Sequence, residues 1–144
     1  MISKSSGYAI LALSCLHDQK KNIWIQTQEI VNRTDIPKPY LHKILHSLAG
    51  AGLVATKRGH TGGMALVKPK SKITILEIVQ LVEGNHWSNK CLLGLEDCSE
   101  ERACPAHEFW SNNREKIIKA VKDLTLSQVS QFEKEFGVRI SPPT

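Results

Sequence analysis

The sequence predicts a mainly α-helical chain with one small β-hairpin: a winged helix-turn-helix followed by a long C-terminal dimerisation helix. Three observations predict it. Two short apolar-periodic segments, 27–33 and 37–48, are joined by a tight turn, the layout of a helix-turn-helix. A strand, a glycine-rich turn and a second strand follow directly at 53–67. A helical stretch at about 105–122 then carries a wide apolar stripe that must be buried on its own chain or on a twin, and the twin is expected.

Each element has a local cause. Tyr8 to Leu16 is apolar nearly all round, which suits a buried helix, with Ser3, Ser5 or Ser6 as cap and Cys15 as a small core hydrophobe. Ile23-Trp24-Ile25 reads as a short strand, and Thr27–Arg33 as a helix burying Ile30 and Val31. Pro37 and Pro39 suit the first turn of the next helix, where a missing N–H is no loss. There Leu41, Ile44, Leu45 and Leu48 share the inner face, which leaves Lys38, Tyr40, His42, Lys43 and His46 for the others, and Gly52 ends it. The hairpin pairs 53–57 with 64–67 and carries Arg58 and His60 at its tip. Thr74-Ile75-Leu76-Glu77 is a capping box opening a helix to Glu83, with Ile75, Ile78, Val79 and Val82 inward. Residues 85–103 lack helical periodicity and read as a functional loop. Phe109, Trp110, Ile117, Ile118, Val121 and Leu124 form the stripe of the long helix. A second box, Thr125-Leu126-Ser127-Gln128, starts a last helix through Val129, Phe132 and Phe136 to Gly137, before a frayed tail at 141–144. Three regions result: a DNA-binding domain at 1–84, a cysteine-bearing sensor loop at 85–104, and the dimerisation and C-terminal helices at 105–144.

Charge divides the chain. Residues 1–75 hold 11 Lys and Arg against 3 Asp and Glu, a net of +8, whereas 76–144 hold 8 against 11, a net of −3. The basic first half therefore suits a polyanion such as DNA. Apolar residues at 41% are ordinary for a globular chain, and no run approaches the about 18 apolar residues of a membrane span. No signal-peptidase site is evident, so a soluble cytoplasmic protein is expected. Enzyme chemistry finds no support: there is no phosphate-cradling glycine motif, no plausibly paired carboxylates and no Ser–His–Asp arrangement.

Three of the four cysteines, Cys91, Cys98 and Cys104, lie within 14 residues, and His107 follows. The spacing is too wide for zinc-ribbon CxxC pairs and fits neither common ferredoxin pattern. If the helix begins at Cys104 or Pro105, Cys104 and His107 share one face as i and i+3. Three thiolates and an imidazole would satisfy the four-ligand need of Zn²⁺ or of an iron–sulfur cluster, while the thiols alone could form a redox sensor. Spacing leaves those readings open. His17 reads as a solvated helix-end residue, and His86 as a loop residue and alternative ligand.

Tyr8-Ala9, Leu11 and Leu13, Ile36, Tyr40-Leu41, Ile44-Leu45, Leu48 and Ala51-Gly52-Leu53-Val54 resemble the bacterial IscR/NsrR-type (Rrf-two) family of winged-helix transcription regulators. The likeness continues through Arg58-Gly59, Gly62-Gly63, Leu66, Pro69, Ile73-Thr74-Ile75, Ile78-Val79, Val82-Glu83-Gly84, Trp110 and Leu124-Thr125-Leu126. It covers nearly the whole chain. The resemblance implies a homodimer on a roughly palindromic double-stranded operator, with an iron–sulfur cluster controlling DNA affinity. By position, Cys91, Cys98 and Cys104 would be ligands and His107 the fourth, a set that favours a two-iron (2Fe-2S) cluster over a four-iron (4Fe-4S) one. Two positions depart from the pattern: six residues separate Cys91 from Cys98 where five are usual, and Gly7 stands where the nitric-oxide-sensing branch has an acidic residue.

DNA contacts are expected from Lys38, Tyr40, His42 and Lys43 on the recognition helix and from Arg58 and His60 in the minor groove. The rivals are a thiol-switched or zinc-dependent regulator of the same fold, and a protein-interaction module without DNA binding.

Overall fold

The computed structural model describes residues 2–94, 96–101 and 104–136. Helix α1 spans Lys4–Ser14, and Ser3 caps it by accepting from the Ser6 N–H. α2 (Thr27–Thr34) and α3 (Lys38–Gly50) are the helix-turn-helix pair, followed by β1 (Val54–Lys57) and β2 (Gly63–Leu66). α4 (Ile75–Glu83), α5 (His107–Asp123) and α6 (Leu126–Phe136) complete the order. β1 and β2 pair antiparallel, from Val54 with Leu66 to Lys57 with Gly63. The helix stop at Gly137 and the tail at 141–144 lie outside the described residues.

The core is built around α1, which packs against α2, α3, α4 and α6. Leu13 and Leu16 share one buried core with Ile30, Ile36, Leu41, Leu45 and Leu48 and with Ile73, Ile75, Ile78 and Leu126. The turn between α2 and α3 is tied internally. The Thr34 hydroxyl donates to the Ile30 carbonyl at 2.6 Å and accepts from the Ile36 N–H at 3.4 Å, while Asp35 takes a left-handed φ of 56°. Burying Ile36 beyond that turn sets the angle of α3.

Four expectations are corrected. Ile23-Trp24-Ile25 is not a strand: only Ile25 bridges the hairpin, exchanging both backbone bonds with Met64 at 3.0 and 2.8 Å. Ile23 stays 44% exposed, and Trp24 turns to Asn22. Residues 85–103 are not wholly irregular, since Asn85–Asn89 form a 3-10 helix and Lys90 bridges Asp97. α5 begins at His107, so Cys104 lies in the turn before it. The apolar stripe of α5 is divided: Trp110 is buried and Val121 packs on the core, but Phe109 is 63% exposed.

The two capping boxes differ. At Thr125 both bonds form: the Gln128 N–H donates to the Thr125 hydroxyl and the Gln128 side chain accepts from the Thr125 N–H. At Thr74 only the Glu77 N–H bond forms, because the Glu77 carboxylate is held by Lys68 at 2.8 and 3.0 Å. The α4 C-terminus is joined to the α1 N-terminus by Glu83, whose Oε1 accepts from the Ser3 N–H at 2.9 Å and the Ser6 hydroxyl at 2.5 Å. Partial burial pushes the Glu83 carboxyl up, but the bonds from Ser6 and Ser3 outweigh it and the pKa falls below the ordinary value. A depressed carboxyl pKa contributes stability above the unfolded value that disappears as pH falls through the folded one. Glu83→Gln is therefore expected to lose less stability than the parent between about pH 5 and 3, read from denaturation midpoints across that range.

Candidate nucleic-acid interface and cysteine centre

Because the inner face of α3 is fully used by Leu41, Ile44, Leu45 and Leu48, Lys38, His42 and Lys43 face solvent. Tyr40 is 54% exposed, with its ring held edge-on against Tyr8 at 6.1 Å. The Lys38 ammonium donates to the Gln28 side chain at 3.3 Å, joining the N-terminal ends of α3 and α2. A second tie reaches the wing: the Gln26 amide donates to the His60 carbonyl at 3.2 Å. Arg58 and His60 are both exposed at the tip. Lys57 lies over the Trp24 ring, 5.8 Å from its centre. Helix α3 and the wing thus present cations and hydrogen-bonding groups together. The roles of Gln26 and Gln28 escaped sequence reasoning, since glutamines at a helix start carry no distinguishing pattern.

The cysteine segment is shaped by backbone bonds. The Cys91 N–H donates to the Glu96 carbonyl at 2.9 Å, and the Cys98 N–H to the Asn89 carbonyl at 2.7 Å. The Trp110 indole N–H donates to the Lys90 carbonyl at 2.8 Å and fastens this segment to α5. The His107 N–H donates to the Cys104 carbonyl at 2.9 Å, which keeps Cys104 beside the helix start. Cys91, Cys98, Cys104 and His107 line one cavity of about 400 Å³, together with Glu96, Asp97 and Ser99.

Within it the side chains approach as two pairs. Cys91 Sγ and Cys104 Sγ are 3.7 Å apart, and Cys98 Sγ is 3.2 Å from His107 Nδ1. The expected pairing of Cys104 with His107 on one helical face is replaced by these cross pairs, because Cys104 precedes the helix. Among the described residues no three His, Cys, Asp or Glu side chains gather closely enough to hold one metal ion. His86 is exposed and does not line the cavity. The Trp110 clamp was not foreseen, as its partner is a backbone carbonyl.

A helix-turn-helix whose second helix and adjoining hairpin present basic groups defines a class: the protein is a winged-helix, DNA-binding transcription regulator. More narrowly, the chain belongs to the Rrf2 family, described as an iron-dependent transcriptional regulator, which matches residues 2–131. It is 30% identical over 137 residues to a putative HTH-type transcriptional regulator of Aquifex aeolicus, covering 94% of each chain. The HTH-type transcriptional regulator IscR of Vibrio atlanticus is 29% identical over 130 residues, 89% of this chain and 73% of that one. In structure the chain is similar to CymR, the global cysteine regulator of B. subtilis, with a TM-score of 0.73 at 21% identity over 92% of this chain and 97% of that one. These relatives are regulators rather than enzymes. No described helix is long and apolar enough to cross a membrane.

Proposed function

We propose that the protein is a homodimeric regulator whose affinity for a palindromic operator is set by an iron–sulfur cluster on Cys91, Cys98, Cys104 and His107. One observation carries this reading: four potential ligands line one cavity as two pairs. Two ligands on one tetrahedral metal, with bonds of about 2.0–2.3 Å, stand roughly 3.5–3.8 Å apart; the 3.7 Å Cys91–Cys104 separation falls in that range and the 3.2 Å Cys98–His107 separation lies just below it. A single Zn²⁺ needs all four at that spacing around one point, whereas a two-iron cluster takes two protein ligands on each iron. The residues fit the two-iron group better. A bound cluster supplies a redox-sensitive and chemically labile crosslink.

The chain's own residues connect that site to DNA. Residues 85–107 run between α4 and α5, and Glu83 at the end of α4 holds Ser3 and Ser6 at the start of α1. Ordering or releasing this segment shifts the frame carrying α3, and in a dimer it changes the spacing of two recognition helices. Lys38, Tyr40, His42 and Lys43 read the major groove, while Arg58 and His60 enter the minor groove. The exposed Phe109, Phe132 and Phe136 favour a partner copy along α5 and α6.

A second reading rests on the Cys91–Cys104 pair. At 3.7 Å the two thiols need little movement to join as a disulfide, giving two electrons and two protons to a peroxide that leaves as water. Absorption spectroscopy with iron and sulfide analysis on oxygen-free protein separates the readings. Visible charge-transfer bands with matched iron and sulfide are expected, with iron lost in Cys98→Ala. Protein that stays colourless after reconstitution, and forms a Cys91–Cys104 disulfide with peroxide, overturns the cluster in favour of a thiol switch.

A further inference from the structure

A cavity of about 370 Å³, lined by none of the residues assigned to DNA or to the cysteine centre, opens where the ends of α1 and α2 meet the 3-10 turn at Lys70–Lys72 and α6. Its walls carry four cations, Lys21, Arg33, Lys70 and Lys134, and one carboxylate, Asp18, whose Oδ1 already accepts from the Lys20 N–H. Lys70 is set deepest. Its ammonium donates to the Ser14 carbonyl at 2.6 Å and the Ser130 hydroxyl at 2.8 Å, and neither acceptor carries charge. Glu133 attracts Lys70 from beside the cavity but is not part of its wall. The Arg33 guanidinium is shared between Glu29, at 2.8 Å, and the neighbourhood of Cys15.

The lining carries four cations against one carboxylate, and the groups within it respond to burial and to one another's charge. Burial and then the Lys134 charge pull the Lys70 pKa down. His17, expected to be solvated, is half-buried on the cavity wall, and burial followed by the Lys70 charge lowers its pKa also. Burial raises the Cys15 thiol pKa despite the nearby Arg33, so Cys15 contributes shape and not a nucleophile. Like charges held together in a concave, partly desolvated space favour an anion that replaces their lost hydration. The volume lies in the range of about 300–1,000 Å³ common for small-molecule sites.

We propose that this cavity is a binding site for a small, multiply charged phosphate-type anion, held by Lys21, by Arg33 at the end of α2, and by Lys70 and Lys134 beside and on α6. Such an occupant joins the helix preceding the recognition turn to α6, a route separate from the cysteine segment. The inference stands independently of the cluster reading.

Calorimetric titration of the full chain, without cluster or DNA, with inorganic pyrophosphate at fixed ionic strength tests it. Saturable one-to-one binding per chain is expected. Lys134→Gln and Lys21→Gln, both exposed and therefore safe for folding, should each weaken it about tenfold, the loss of one charge-assisted bond. Lys43→Gln on α3 should leave it unchanged. Unsaturable binding, an unaltered Lys134→Gln affinity, or loss on Lys43→Gln overturns the proposal. So does a Lys134→Gln variant that keeps pyrophosphate but loses duplex affinity, which would make the cavity a DNA-phosphate contact.

Discussion

Gly62→Ala is expected to destabilise the protein by about 3 kcal/mol and to disable the wing. A Cβ at Gly62 would overlap the Lys57 carbonyl oxygen and stand 2.8 Å from the Arg58 carbonyl carbon. Both are backbone atoms of the opposite arm, so no side chain can swing away. The Lys57–Gly63 pair must open, and the Gly62 N–H bond to the Gly59 carbonyl, 3.0 Å long, goes with it. Adjacent Gly63 cannot absorb the shift: its φ is 145° and a Cβ there would meet the Ile25 carbonyl oxygen at 2.6 Å. Denaturant midpoints and duplex binding should fall together in this variant. Arg58→Ala provides the contrast, since its side chain is exposed and holds no hydrogen bond or ion pair among the described residues. It should keep the parent midpoint while weakening operator binding about tenfold, the scale of one base or phosphate contact. Full operator affinity in Arg58→Ala would remove the wing from the interface.

Leu45→Ala is the second large effect. Leu45 is fully buried on the inner face of α3 between Leu41 and Leu48. Removing its isobutyl end loses transfer energy and leaves a cavity in the core beneath α3, at a cost of about 2–5 kcal/mol. For a chain of this length that lowers Tm by roughly 10 °C. The cost has a functional side, because the same packing aims the outer face of α3. Calorimetric unfolding should show the shift, and duplex affinity should fall even at temperatures where the variant is folded. A Tm within about 2 °C of the parent would mean that the helix-turn-helix core repacks freely, contrary to the fully buried face described above.

Where signals are local, the sequence was a sufficient guide. Ser3, Thr74 and Thr125 cap the helices expected of them, since each bonds a backbone N–H within three residues. The inner face of α3 followed from spacing alone, as did the hairpin from its paired strands and glycines. The basic first half likewise anticipated the surface that the fold presents. Errors fell where a partner distant in the chain, or a single closing turn, decides. Ile23-Trp24-Ile25 has strand composition, yet only Ile25 reaches a free backbone edge, at Met64. The start of α5 moved to His107 because the Cys104 carbonyl closes a turn there, and this changed which ligands face one another.

The sequence by itself determined the class of fold, the recognition helix, the wing and the set of thiols and imidazole worth watching. These depend on periodicity, caps and composition, which act over a few residues. Tertiary structure alone decided that Cys91 meets Cys104 and Cys98 meets His107, that Glu83 ties α4 to α1, and that four cations surround one cavity. Each of those joins groups separated in the chain, from 9 residues for Cys98 and His107 to 80 for Glu83 and Ser3, and the cations of the cavity are drawn from positions 21 to 134. No local rule specifies such pairs, because they form only once burial of the shared core has brought their elements together.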